Sequence, residues 1–492
     1  MDEQKQLKRN LIMYPLGTVG RDMIYALFTN YILTFVLFTR VLSASQLAAI
    51  TAIMVAARIF DGLNDPIMGN IIERTRTKWG KFKPWLLIGV ITSSIVVTLA
   101  FNCKFQGWSF VVFFGIIYFL YSITYTMNDI SYWGMVPALS SDGNTRNQFT
   151  SRATLFAGIG STLASVLIPM FTTGEMALGG NTATAYGIIA IVICILSPLF
   201  ILFTLFGVKE NRSDMAEPAP KISFKMIVKT IAGNDQLLWI SLIFLLQQIG
   251  NGIVIGGIGS TYIYFEFGYN GGLYSLFTTV GMSVTALLMI FYPTISRKTN
   301  RKPLMTIMQI IALVGYAVML VAGLLLPATM IKFYIITIGY MAANFGQYCF
   351  YLIMMISIIN TVEYNEYKHG NRAEAIISSL RPFLTKLASA LCVAITSGTY
   401  LIFGVTKITN QISTFENQAS MNAITESQKL SSIGDLLKTI HASQSKGLLF
   451  AMTLVPLAFM LASYFIYKTK YNLDEPEYDR ICKELEARKA VK

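Results

Sequence analysis

The stretch RIFDGLNDPIMG, Arg58 to Gly69, decides how this chain is read. It places Arg58, Asp61, Asn64 and Asp65 inside a long apolar run. A charged side chain at the centre of a bilayer costs at least about 2.5 kcal/mol on insertion scales, so such residues are rare there and mark ion or substrate paths. The surrounding sequence decides whether that cost applies.

The 492 residues are 54% hydrophobic and 13% charged, against about 25% charged in soluble domains. The apolar residues fall in runs long enough to cross ~30 Å of hydrocarbon. Each run must satisfy its own backbone, which predicts helices. Twelve spans are expected, near 11–38, 45–72, 84–101, 108–137, 151–173, 184–206, 236–265, 272–295, 303–326, 331–361, 375–404 and 445–468. The expected fold class is an all-α membrane protein of twelve transmembrane helices. The polar N-terminus, MDEQKQLKRN, lacks a small-residue cleavage site, so the first span is expected to act as the insertion signal.

The net charge of +13 invites a nucleic-acid reading. Its distribution excludes one. With both termini placed in the cytoplasm, basic runs such as RTRTKWGKFK and RKTNRK fall in inner loops. The outer loops hold only Arg40, Lys104, Lys332, Lys407, Lys429, Lys438 and Lys446. That asymmetry is the positive-inside rule of a multi-pass protein of the plasma (inner) membrane. The five cysteines are dispersed, with no disulfide or zinc spacing, and read as small buried hydrophobes.

The cytoplasmic connection 207–235 contains EPAPK and divides an N-terminal half, 1–206, from a C-terminal half, 236–468, followed by a tail at 469–492. Lys83-Pro84 before the third span is echoed by Lys302-Pro303 before the ninth, and DGNTRNQ after the fourth by KHGNRAE after the tenth. Two six-helix halves repeated in one order describe the major facilitator architecture, with its binding site between the halves near the midplane. The external loop 405–444 is long and polar. Leu430, Ile433, Leu437 and Ile440 share one helical face there, which fits a short surface helix or an unstructured loop.

Asp61, Asn64 and Asp65 stand at i, i+3 and i+4 and so share a face. In the fourth span Thr126, Asp129 and Trp133 share another. Two carboxylates, an amide oxygen and the Thr126 hydroxyl form a hard-oxygen set suited to a small monovalent cation, with Arg58 available to neutralise one carboxylate. A structural Arg58–Asp61 pair is the simpler reading, but it leaves Asn64 and Asp65 unexplained. Arg21 and Asp22 lie deep in the first span. With Asp129, Trp133, Arg152 and Lys386 they offer charged hydrogen-bonding groups and an indole, a mix suited to a sugar. Trp133 taken alone is equally a packing or interfacial residue, and Arg152 equally a positive-inside residue. Gly252 and Gly256 form a GxxxG, read either as close helix packing or as a hinge. His369 and His441 fall in expected loops.

The run FDGLNDPIMGNIIERTRTKWGKFKPWLL, 60–87, resembles the signature of the glycoside-pentoside-hexuronide:cation symporters, the melibiose permease-like branch of the major facilitator superfamily. The resemblance extends through GRD at 20–22, TYTMNDISYW at 124–133, GNDQL at 233–237 and NTVEYNEYKHGNRAEAI at 360–376. It implies a sodium site at Asp61, Asn64, Asp65 and Thr126, and a sugar site at Arg21, Asp22, Asp129, Trp133, Arg152 and Lys386. Arg21 and Asn128 depart from the family pattern, and 405–444 is longer than usual. The expected function is symport of a glycoside, oligosaccharide or hexuronide with sodium by a monomer, with H+ or Li+ as other co-transported cations and no resident cofactor. Relatives of this fold that carry lysolipids with sodium, and proton-only sugar symporters, are the alternatives. An intramembrane enzyme is disfavoured because no His or Cys cluster sits in a span.

Overall fold

The structure is a computed structural model that describes residues 2–140, 142–209, 224–371 and 373–490. Most of the connection expected at 207–235, including EPAPK, lies outside the described residues. In chain order the helices are α1 (Asp2–Leu16), α2 (Thr18–Thr39), α3 (Ala44–Arg74), α4 (Lys83–Asn102), α5 (Gly107–Gly134), α6 (Val136–Leu139), α7 (Gly143–Thr172) and α8 (Thr182–Gly207). There follow α9 (Phe224–Gly233), α10 (Asp235–Ile253), α11 (Gly259–Phe267), α12 (Gly271–Lys298), α13 (Arg301–Leu325), α14 (Met330–His369) and α15 (Glu374–Ile402). The last four are α16 (Val405–Ser420), α17 (Glu426–Lys438), α18 (Ala442–Lys470) and α19 (Glu475–Ala490).

Eleven segments among the described residues are helical, long and apolar enough to cross a membrane. With α12, a helix of 28 residues, they make twelve. The faces they expose are apolar. On α8, for instance, Ile191, Ile195, Leu199 and Phe203 form an exposed stripe at four-residue spacing, which in water would be an unburied interface and in a bilayer meets lipid.

Local chemistry sets the boundaries. Ser43 and Gln46 cap α3 reciprocally, as Thr425 and Gln428 cap α17. Asn181 caps α8 and Asn234 caps α10 through side-chain acceptance of a backbone N–H. Pro84 sits in the first turn of α4, where no backbone donor is missed. Gly370 closes α14 in the left-handed region, at φ 75°. The first span is broken at Gly17, two residues after Pro15. The seventh is interrupted by a π-helical turn at Val254–Ile258, where Gly257 takes φ 117°. Of the two sequence readings of GxxxG, Gly252 shows close packing, since a side chain there would meet Cys392 Sγ. The backbone irregularity lies at Gly256 and Gly257. His369 is the last residue of α14 rather than a loop residue, and its Nε2 meets the Gly233 carbonyl at 2.8 Å.

The chain forms two compact units. The first comprises Met1–Lys221, Gly268–Ser275 and Tyr400–Ile440, and the second Ile222–Phe267, Leu276–Thr399 and His441–Lys492. The core of the first includes Tyr14, Leu86, Tyr132, Phe149 and Ile201. The core of the second includes Phe244, Met305, Phe350, Ile353 and Tyr467.

The segment read as a long polar loop is helical over both its parts, α16 and α17. The sequence pattern marked only the second. Helix α16 has a polar outer side and buries Val405, Ile408 and Ile412, and it packs in the first unit against α2 and α8. Asn410 exchanges hydrogen bonds with the backbone of Leu42 at 2.8 and 2.9 Å. Glu416, fully buried, accepts from the Thr182 N–H at 2.7 Å and pairs with buried Lys429 at 3.6 Å. Burial pushes the Glu416 carboxyl above the ordinary glutamate range, while Lys429 and Thr182 act in the opposite direction. Removing one member of a buried pair costs about 3–5 kcal/mol. Lys429→Ala should therefore release α16 and α17 from the first unit, seen as lost amide protection across 405–438 in hydrogen exchange. Unchanged protection would show that the ion pair contributes nothing to docking.

Candidate functional site

Two polar clusters lie within the first unit, both built on α5. At the first, Arg21 of α2 is 4% exposed and bridges two carboxylates. Its Nη2 reaches Asp22 at 2.8 Å and its Nη1 reaches Asp129 of α5 at 3.0 Å. Thr18 also donates to Asp22. The guanidinium lies over the rings of Tyr132 and Trp133, 4.8 and 5.2 Å from their centroids. Tyr132 is itself fixed by Tyr14: the rings stack at 4.4 Å, and each hydroxyl donates to the other residue's carbonyl at 2.7 Å. Gly20 lets α2 approach the α8 backbone at Ser197, and Gly160 lets α7 approach Val19. Arg21 is thus held by packing on both sides. Asp129 remains 38% exposed, so its second oxygen is open to a ligand.

At the second cluster, Arg58 and Asp61 of α3 are buried and pair at 3.7 Å. Arg58 also donates to Thr29 of α2 at 3.3 Å and lies over the Tyr118 ring. Ser122 of α5 donates to Asp61. One turn further along α5, Thr126 donates to Asp65 at 3.1 Å. Asn64 is buried and its Nδ2 has no hydrogen-bond partner. Asp61, Asn64, Asp65, Thr126 and Ser122 therefore bring oxygen donors from two packed helices together. No cluster of three or more His, Cys, Asp or Glu side chains suited to a metal occurs among the described residues.

The clusters are linked along α2 and α5 by packed aromatic rings. Arg21 and Thr29 stand two turns apart on α2, with Tyr25 between them. Tyr25 packs on Tyr125, which stacks on Tyr121, which stacks on Phe28. These aromatics, and Ser122, escaped the sequence reading. Ser122 carries a usable signal, since it precedes Thr126 by four residues and so shares its face.

Arg152 is exposed on α7 and donates to the Leu11 carbonyl at 3.3 Å. Lys386 is half-buried on α15 in the second unit, whereas the remaining candidates belong to the first. Asn128 points away from Asp129: it is buried and donates to the Leu86 carbonyl of α4 at 3.2 Å. Its departure from the family pattern is accounted for by helix packing.

Twelve membrane-length helices with charged residues buried among the first eight define a polytopic membrane protein. The sequence profile of the family described as MFS/sugar transport protein matches residues 13–475, and the chain belongs to that family. It is 30% identical over 418 residues to the lactose permease of Leuconostoc lactis, covering 79% of this chain and 62% of that protein. The match thus spans less than two thirds of that relative's own length. The lactose permease of Lactobacillus delbrueckii subsp. bulgaricus is 29% identical over 98% of this chain and 73% of its own. The glucuronide carrier protein homolog of Escherichia coli is 24% identical over 98% of this chain and 96% of its own. Among solved structures, a bacterial homologue of the lysosomal transporter Spinster superposes with a TM-score of 0.62 at 13% identity, over 94% of this chain and 95% of the other. A D-xylose-proton symporter gives 0.57 at 13% identity, over 89% and 99%. These two likenesses concern the fold alone.

Proposed function

We propose that the protein is a secondary active transporter that carries a glycoside, oligosaccharide or hexuronide together with sodium, by alternating access in the plasma membrane. The observation that carries the reading is the sharing of α5: Thr126 serves the cluster around Asp65, and Asp129, three residues on, serves the cluster around Arg21. Filling one site orders the helix that presents the other. Relatives named as lactose, raffinose and glucuronide carriers support a saccharide cargo.

Asp22 and Asp129 would accept sugar hydroxyls, with Arg21 fixing the aim of both carboxylates. Trp133, pinned against Arg21, offers a ring face to the sugar's C–H bonds. By the family resemblance, Arg152 and Lys386 would also serve the sugar. Within α3 the stretch 58–65 carries two acids and one base. Arg58 answers Asp61, so the excess is a single negative charge, matched to one monovalent cation. Asp61, Asn64, Asp65 and Thr126 would hold that ion. The basic loops favour cytoplasmic termini, and the protein would act as a monomer.

By linkage, sodium must raise sugar affinity by the same factor with which sugar raises sodium affinity, usually about 5–150-fold. Calorimetry of a sugar panel at constant ionic strength, exchanging choline for sodium at two pH values, tests this. Tighter binding in sodium is expected. Affinity that ignores sodium and follows pH would make the protein a proton symporter. Asp65→Cys should abolish the sodium enhancement and leave weak sugar binding.

A further inference from the structure

Arg40 ends α2, and its buried guanidinium, 3% exposed, has no acidic partner among the described residues. Nη1 donates to the Thr39 carbonyl at 3.1 Å and Nη2 to the Cys103 carbonyl at 2.7 Å. The rings of Phe35 and Phe110 flank it at 5.2 and 5.0 Å. Its Nε has no hydrogen-bond partner at all. Helix C-termini and ring faces supply partial negative charge, but a full charge removed from water calls for a counter-ion. Every other buried Arg or Lys described above has a carboxylate partner, and Arg40 stands apart.

Arg40 is also one of the residues that line a cavity of about 640 Å³ in the first unit. Exposed Lys104 adds a second positive charge there, and Phe101, Ile188, Ile191 and Met421 add apolar wall. The cavity sits where α2 and α4 end and α8 begins, which is the boundary level of the bilayer. On α8 the wall residue Ile191 starts the exposed lipid-facing stripe. Two cations at the interface, next to an apolar wall that runs toward hydrocarbon, match the two ends of an anionic lipid. Arginine binds phosphate through charge-assisted, often bidentate hydrogen bonds.

We propose that this cavity is a binding site for an anionic phospholipid, its phosphate on Arg40 and Lys104 and an acyl chain along Ile188 and Ile191. The site is distinct from both polar clusters, and it is walled in part by α16 through Asn417 and Ser420. An occupied site would tie α16 to α2, α4 and α8 and make the stability of this end depend on lipid charge.

The test uses the full-length protein in detergent, titrated with dioleoylphosphatidylglycerol, with dioleoylphosphatidylcholine, and with inorganic phosphate. Thermal unfolding and native mass spectrometry are the readouts. Phosphatidylglycerol is expected to raise the unfolding temperature and to stay bound, with phosphatidylcholine and phosphate far weaker. Lys104→Gln, which leaves the buried contacts of Arg40 alone, should weaken the phosphatidylglycerol response about tenfold. Ile188→Trp, which fills the acyl path, should weaken it while sparing any response to phosphate. Arg40→Gln should remove it, and since this variant also loses helix-end contacts, the other two decide the matter. Equal stabilisation by both lipids, an equal effect of phosphate alone, or an undiminished response in Lys104→Gln and Ile188→Trp would each overturn the proposal.

Discussion

Asp129→Asn should lose sugar binding while the protein still folds and still binds the cation. The substitution keeps the shape but replaces a carboxylate that accepts charge-assisted hydrogen bonds with an amide that offers one oxygen and two donors. A carboxylate bonded to two sugar hydroxyls contributes about 1.5–3 kcal/mol per bond. The expected loss is at least about 3 kcal/mol, more than a hundredfold in Kd. Folding should survive, because Asp129 is more than a third exposed and Arg21 keeps Asp22 at 2.8 Å. Calorimetry on the purified variant gives the answer directly. Unchanged sugar affinity would remove Asp129 from the binding site and leave it a partner of Arg21 alone.

The second large effect lies in the membrane interior. Arg58→Ala should destabilise the protein by about 3–5 kcal/mol, because it strands buried Asp61 without its 3.7 Å partner. That is a large part of the roughly 5–15 kcal/mol that separates folded from unfolded proteins. The Ser122 hydroxyl remains on Asp61, but a neutral donor does not cancel a charge. Adding Asp61→Asn to Arg58→Ala should restore the melting temperature in detergent without restoring cation binding. A single variant as stable as the parent, or a double variant no better than the single, would show that the two residues do not compensate each other.

The spans were legible because hydrocarbon demands runs of apolar residues with self-satisfied backbones, and the helix-face relations were legible because 3.6 residues make a turn. Arg58 meets Asp61 at i+3 as the spacing allows. Contacts between helices were not legible from spacing. The contact of Arg21 with Asp129 joins residues 108 apart in sequence; side-chain chemistry and the family resemblance grouped them, and spacing could not. Asn128, a departure from the family pattern, adjoins Asp129, yet neighbours on a helix point about 100° apart and Asn128 faces α4. Helix α16 was missed because its apolar positions, Val405, Ile408 and Ile412, are sparse in a polar segment, and packing against α2 and α8 stabilises it more than propensity does.

That helix has a consequence for how the polypeptide is made. Residues 400–440, from the end of α15 to just before α18, complete the unit begun by the first eight helices. During synthesis those helices wait, with the Thr182 amide and both backbone groups of Leu42 lacking their final protein partners, until about 200 further residues have emerged. A fragment that stops at the central connection is therefore an incomplete folding unit. Complementation of one half by the other requires the late segment to dock in trans, onto helices translated long before it.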